Sequence, residues 1–418
     1  MDYIFIFHAN LHYSQLPLDK KEFVIRESYD ATLRLLRERY PQAHFAFEAS
    51  GYTIEEMQRL APDVLDRYRQ AFADGVCEFM GSPYAHSMLA NFPFEDGLWS
   101  LKFSMETYEK VLGFRPATAW NPECSWNARM PEMFEKAGFT NLITDWESFL
   151  ISTRPEVRAV EYDPDRSRKD GKNLPYYDVS PDDPTLHYPL RITDKLTGLM
   201  RSDRTCNELL WYMMGQSEET DGKGPAEVPL EKPLSAVRKW TGSDKGGFLI
   251  PYAEDAEYCG TTGYFFLKYY NQFRLFEPSP ESLQRLDALL AEVTKMGDLI
   301  TVSEAVAKYP RIEDVEMAYE DKMAWHRTFS DAWANTPWAK ELDPHCKRIH
   351  DELMRLEKSA KSKKQKDLLK QGWYHLICAE NSDGRWPPPP LEPGKWNIDY
   401  CWDHVREADK VLEQLKSQ

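Results

Sequence analysis

Two acidic clusters stand where parallel α/β folds do their chemistry. Trp120-Asn121-Pro122-Glu123 follows the strand-like Ala117-Thr118-Ala119, and Asp255-Ala256-Glu257 lies just beyond the apolar run Phe248-Leu249-Ile250. At the C-terminal end of a buried strand, rigid backbone meets an open loop, so a side chain there is both held and accessible. Two carboxylates placed so, one protonated and one ionised, are the minimal equipment for cleaving a glycosidic bond. Taken singly, Asp and Glu are ordinary surface residues; the shared setting marks Glu123 and Asp255. His8-Ala9-Asn10 follows the first strand-like run, and Cys77-Glu78-Phe79, with His86 downstream, repeats the arrangement. Imidazoles, amides and carboxylates at adjacent strand ends supply the donors and acceptors that a polyhydroxylated ring demands. His12 is expected to be a satisfied structural histidine.

The elements that must position these groups follow from the apolar pattern. Strands are expected at Tyr3–Phe7, His44–Phe47, Val76–Phe79, Ala117–Trp120, Asn141–Thr144, Gly198–Arg201 and Phe248–Pro251. Helices are expected at Lys21–Arg39, Ile54–Asp74, Phe94–Leu112 and Pro131–Gly138, and Ser279-Pro280 reads as an N-cap with Pro at the first helical position of a helix running to Met296. Strand-then-helix repetition favours a parallel sheet closed, or nearly closed, into a barrel over residues 1–310. Polar segments near 155–196 and 220–233 read as surface insertions over its mouth. From 311 to 418 strands become scarce and helical patterns dominate, as in His345–Lys370, which marks a C-terminal helical domain. The lysine-rich stretch 358–370 reads as a solvated helix face, and Pro387–Pro390 as a rigid connector.

Composition narrows the partners. With 418 residues the chain exceeds the size at which one core keeps growing, and its formal charge of -16 argues against a nucleic-acid backbone or an anionic membrane surface as partner. A neutral ligand fits better. Aromatic residues reach 13% with 13 Trp, flat side chains able to stack on sugars as well as fill a core. Seven Cys are scattered without any C-x-x-C, which points to reduced thiols and a cytoplasmic setting. The N-terminal Met1–His8 lacks the basic flank of a secretory signal, and no apolar stretch is long enough to span a bilayer. Oligomeric state leaves no mark in the sequence.

Taken in order, the motifs resemble those of glycoside hydrolase family 57. His8-Ala9-Asn10 resembles the first of its five motifs, Gly75, Glu78 and His86 the second, and Trp120-Asn121-Pro122-Glu123 the third, which carries the nucleophile. Asp255-Ala256-Glu257-Tyr258-Cys259-Gly260 is similar to the acid/base motif, and Thr301–Ala305 to the fifth. Met200–Arg204 and Ser382-Asp383-Gly384-Arg385-Trp386 match two further elements, so the resemblance covers almost the entire chain. One departure is Asn10-Leu11-His12, where the family usually reads His-x-His-Gln-Pro; it bears on specificity more than on catalysis.

The resemblance implies a distorted (β/α)7 barrel followed by a helical domain that helps wall the cleft, and a retaining α-glycosidase or 4-α-glucanotransferase acting on α-glucans without metal or organic cofactor. It implies Glu123 as nucleophile and Asp255 as acid/base. His8, Asn10, Glu78 and His86 would contact sugar, and Trp120 and Trp126 would stack on it. Glu257 would bond sugar hydroxyls or hold Asp255 protonated, and Asp383 and Trp386 would reach in from the helical domain. Arg201 and Asp203 would pair in support of the acid motif. Two other classes share this scaffold. A metal-dependent deacetylase or mannosidase would need His and Asp ligands at short spacing, and Asn10 stands where such a pair would begin; a non-catalytic glucan-binding or regulatory homologue would not need both Glu123 and Asp255.

Overall fold

The computed structural model describes residues 1–13, 16–154, 178–215, 228–243, 246–267, 272–325, 328–386 and 395–417. Eight strands form one sheet: β1 (Asp2–Ala9), β2 (Phe45–Ala49), β3 (Cys77–Gly81), β4 (Thr118–Trp120), β5 (Asn141–Asp145), β6 (Leu190–Arg191), β7 (Thr197–Arg201) and β8 (Phe248–Asp255). They lie in the order β6-β7-β5-β4-β3-β2-β1-β8. All pairs are parallel except β6 with β7. Seven parallel strands curled in this way make the distorted barrel. It is not closed by backbone pairing: β7 and β8 are not hydrogen-bonded neighbours, and Arg201 at the end of β7 reaches across to Glu254 of β8 at 2.6 Å. A register shift in the β1–β8 pairing falls beside Pro251, which has no N–H to give the ladder.

Side-chain alternation explains what each strand offers. Tyr3, Phe5, Phe7, Phe45, Phe47, Phe79 and Leu142 face the surrounding helices, meeting Tyr29, Ile54, Tyr68 and Tyr108. Ile4, Ile6, Ala46, Met80, Ile143 and Leu199 face the barrel interior. Period two then fixes the next inward positions: His8 after Ile6, Glu48 after Ala46, Asp145 after Ile143, Arg201 after Leu199. Each charged group therefore caps an apolar interior at the C-terminal strand ends.

The helices follow the sequence with four departures. Phe94–Leu112 forms as expected, and Pro280–Met296 likewise, but Ser279 makes no side-chain cap; it pairs with Gly260 in a short strand. The stretch 54–74 is two helices, Gly51–Leu60 and Pro62–Ala73, because Pro62 cannot continue the first. Likewise 345–370 divides into Pro337–Glu357 and Lys363–Ala379, the second started by a capping box of Ser362 and Gln365. The lysines between 358 and 370 are exposed. The first helical stretch runs Lys21–Val24 and Ala31–Arg39, with a π-helical turn, Ile25–Asp30, between them.

Of the two segments expected as insertions, 155–177 and 216–227 lie outside the described residues, as does Pro387–Pro390. The rest is not loop alone: β6 joins the sheet edge, and Glu231–Trp240 is a helix. Beyond 337 the described elements are helices, and Pro337–Glu357, Lys363–Ala379 and Lys395–Lys416 pack around Ile349, Leu353, Trp373, Leu376, Cys401 and Leu412. Tyr84, Ala85 and Phe103 from the barrel side enter the same cluster. All seven cysteines are buried and unpaired. No described helix is long and apolar enough to cross a membrane.

Candidate active site

His8 is the pivot of the strand ends. Its Cα pairs in register with Glu48 on one side and Asp255 on the other. Its Nδ1 meets the Glu48 carboxylate in a short ion pair, and both side chains are buried. Burial alone would hold the imidazolium down, but Glu48, with Asp255 and Glu257 adding, pushes its pKa up to about 10. His8 is therefore a fixed cation at neutral pH. Its ring lies 5.8 Å from Trp120, nearly parallel, and 5.0 Å from His86.

Around that cation, His8, His86, Trp120, Glu123, Ala253, Glu254, Asp255 and Trp325 line a small recess of about 20 Å³. Glu123 reaches it from a tight turn after β4, Pro122–Cys124, in which Glu123 (φ 56°) and Cys124 (φ 47°) are both left-handed. Such backbone costs about 1–3 kcal/mol per residue and persists only where the surroundings enforce it. Here Asn121 does so, its amide donating to the carbonyl and, at 3.1 Å, to the hydroxyl of Ser125. Burial raises the Glu123 carboxyl to about 8, with Asp255 and Asp383 adding and His8 and Arg201 opposing. Among the described residues nothing donates to its Oε2.

Asp255 ends β8, and burial raises its carboxyl too, against His8, a Tyr13 hydrogen bond and His86. The loop after it is held from below by the π-helical turn. The Ser28 hydroxyl donates to the Ala256 carbonyl at 2.6 Å, and the Tyr29 hydroxyl to the Glu257 carboxylate. Gly260 is required here, since a Cβ would lie 1.9 Å from the Glu27 carbonyl oxygen.

The C-terminal helices contribute the loop 381–386. Asn381 donates to the Ala85 carbonyl at 2.7 Å, and His86, itself left-handed at φ 53°, has Nδ1 3.1 Å from the Ser382 hydroxyl and 3.5 Å from Asp383. Asp383 accepts from the Asn10 side chain at 3.0 Å. Asn10 thus joins barrel to helices, its backbone N–H donating to Glu257 at 2.8 Å and its side-chain oxygen accepting from the His12 N–H at 2.9 Å.

Four expected contacts lie elsewhere. Glu78 stands at the start of β3, the wrong end of the barrel, where it accepts from Thr118 and from the backbone and hydroxyl of Ser303 at 2.8 and 2.7 Å. Trp126 is buried in the core beside Tyr319, ring centroids 4.6 Å apart. Glu257 is fully buried behind the recess; the strand stops at Asp255, and burial with the neighbouring Asp255 raises its carboxyl to about 8. Trp386 is 36% exposed and sits edge-on to Trp333 rather than in the recess. His12 is buried and stacked on Tyr52 at 3.5 Å. Glu48 and Trp325 were not singled out by the sequence. Glu48 obeys the rule that identified Asp255, a carboxylate ending an apolar strand, and could have been found by it.

Beside the recess lies a second acidic group. Asp145, Glu147 and Asp203 bring carboxylate oxygens close enough to hold a cation. The fully buried Arg201 bonds two of them, Asp145 at 3.0 Å and Asp203 at 2.7 Å, as well as Glu254. Glu147 instead accepts from the Ser202 hydroxyl and the Asp203 N–H.

The sequence model of glycosyl hydrolase family 57 matches residues 3–319. The chain belongs to that family. An α-amylase of Pyrococcus horikoshii is 24% identical over 222 residues, 52% of this chain and 32% of the relative. A 4-α-glucanotransferase of Thermococcus litoralis is 26% identical over 149 residues, 35% of this chain and 22% of the relative. The chain thus spans a third or less of the length of these curated relatives. In structure, a GH57-type branching enzyme from Pyrococcus horikoshii superposes with a TM-score of 0.66 at 14% identity, covering 100% of this chain and 94% of that one. That likeness extends the family 57 fold through the C-terminal helices.

Proposed function

We propose that this family 57 chain cleaves α-glucosidic bonds by double displacement, passing the glycosyl group to water or to a sugar hydroxyl. The observation that carries the reading is the meeting of Glu123, after the interior strand β4, and Asp255, at the end of the edge strand β8, in one recess with a buried histidine cation. Burial raises both carboxyls, Glu123 to about 8, so a proton is held in the recess near neutrality. With that proton on Asp255, Glu123 attacks the anomeric carbon while Asp255 protonates the departing oxygen. Asp255 then takes a proton from the acceptor, whose oxygen displaces Glu123. His8 opposes the build-up of negative charge, Trp120 and Trp325 supply apolar wall, and Asp383 and His86 offer hydrogen bonds to sugar hydroxyls. The curated relatives include both an α-amylase and a 4-α-glucanotransferase, and the barrel chemistry is common to hydrolysis and transfer. Unpaired thiols favour a reducing compartment, the cytoplasm. The helices 311–418 act as the appended domain that completes the cleft.

The test is to incubate the protein with a maltooligosaccharide ladder and with glycogen, beside Glu123→Gln and Asp255→Asn. Longer and shorter oligomers without new reducing ends mean transfer, and rising reducing ends mean hydrolysis. Full activity in Glu123→Gln would remove the proposal.

A further inference from the structure

Outside the recess, two helices of the C-terminal bundle bring a pair of histidines together. His375 on Lys363–Ala379 and His404 on Lys395–Lys416 face each other with their Nδ1 atoms 2.9 Å apart and their rings tilted by 40°. Both are half-buried. At that separation the two nitrogens cannot both carry protons, so at least one lone pair points at the other ring. Burial lowers both pKa values, and the neighbouring His375 helps hold His404 at about 4. Tyr374 and Tyr400 flank the pair with rings 5.5 and 4.4 Å away. The acidic groups of the surroundings are Asp403 and Glu407, and His12 lies on the side of Tyr400.

Metal–imidazole bonds are about 2.0–2.1 Å long, so nitrogens 2.9 Å apart subtend about 90° at a shared ion. That is the cis angle of square or octahedral coordination, the geometries of Cu2+ and Ni2+, and is narrower than a tetrahedron requires. Glu407, one helical turn from His404, is exposed and bonded to Lys410 at 2.6 Å, and among the described residues its carboxylate does not lie close enough to both imidazoles to complete a three-residue site. The contrast with Asp145, Glu147 and Asp203 is direct: there Arg201 already supplies the positive charge, whereas no cationic side chain bonds either imidazole among the described residues. We propose that His375 and His404 form a two-imidazole chelating site for a divalent transition metal of the Ni2+ or Cu2+ type, with solvent completing the sphere. Such an ion staples the two helices that flank the loop 381–386, and it is independent of the glycosidase reading.

The experiment uses the full chain without an affinity tag, stripped of metal. Calorimetric titration with NiCl2 at pH 7.5 is expected to give one equivalent, and His375→Gln and His404→Gln are each expected to weaken it by at least roughly tenfold. Ni2+ should raise the melting temperature of the parent and leave both variants unmoved. Substoichiometric Cu2+ should show nitrogen splittings in its electron paramagnetic resonance spectrum that simplify in either variant. Melting curves without metal and activity on maltooligosaccharides establish that the variants are folded. No heat up to millimolar Ni2+, or equal affinity in both variants, overturns the site.

Discussion

Two buried acidic groups lie side by side at the strand ends, and they differ in what neutralises them. Asp145, Asp203 and Glu254 surround Arg201, a guanidinium that is ionised at any pH of interest and bonded at 2.6–3.0 Å. Glu123 and Asp255 have no such guanidinium bonded to them among the described residues; the His8 imidazolium, already paired with Glu48, opposes their charge with lesser help from Arg201, His86 and the Tyr13 hydroxyl, and a proton does the rest. The first group closes a seam that the backbone leaves open. The second is left with an exchangeable proton, which is what acid–base chemistry requires. Neutralisation by a permanent cation makes structure; neutralisation by a proton leaves a reaction possible.

The sharpest way to break that contrast is to remove the carboxylates themselves. Asp255→Asn is expected to lower kcat on maltooligosaccharides by roughly 10²–10⁴, and Glu123→Gln by at least as much, with melting temperature equal to or above that of the parent. Arg201→Met should act in the opposite sense. Three carboxylates lose their buried cation, so urea unfolding should report a loss of about 3–5 kcal/mol.

A subtler test lies in Glu48→Gln. Without Glu48 the strongest support for the His8 proton is gone and Asp255 and Glu257 alone oppose its burial, so its pKa falls; the cation opposing the Glu123 shift is weakened, and the acid limb of the kcat/KM profile moves to higher pH. The stability profile carries a related signature. Glu123 and Glu257 hold protons up to about pH 8 in the folded state that the unfolded chain releases near 4.5. The folded form binds more protons across that window, so stability falls as pH rises through it, and Glu257→Gln should flatten the slope measured by urea midpoints. The smallest effect belongs to Glu78→Gln, at the opposite end of the barrel: about 1 kcal/mol of stability through its bonds to Thr118 and Ser303, and kcat within about twofold.

The strands were legible because a parallel strand buried on both faces leaves a near-continuous apolar run, and β1 and β8 are of that kind. Helix interiors were legible from their period, but the breaks at Pro62 and Ser362 needed the turn chemistry to outweigh it. Glu78 was misplaced because a carboxylate inside a short strand says nothing of which end it occupies; a single residue, Cys77, precedes it in β3. Trp126 illustrates how an aromatic near a reactive group is drawn as readily into the core. The bond between Asn10 and Asp383 joins residues far apart in the chain, and no local pattern announces it. Asp383 was placed by family resemblance alone.

The π-helical turn at Ile25–Asp30 has a consequence for how the chain can change in length. One residue more than an α-helix would use is held in that turn, and it sets the phase at which Ser28 and Tyr29 meet the acid loop while Glu27 meets Gly260. Deleting a residue there would close the bulge into a regular helix and withdraw Ser28 and Tyr29 from the acid loop they hold. Surface loops of this barrel can lengthen or shorten by a residue and re-close, but this helix cannot. Its residue count is a setting shared with the reactive end of β8, and descendants of the chain must inherit the two together.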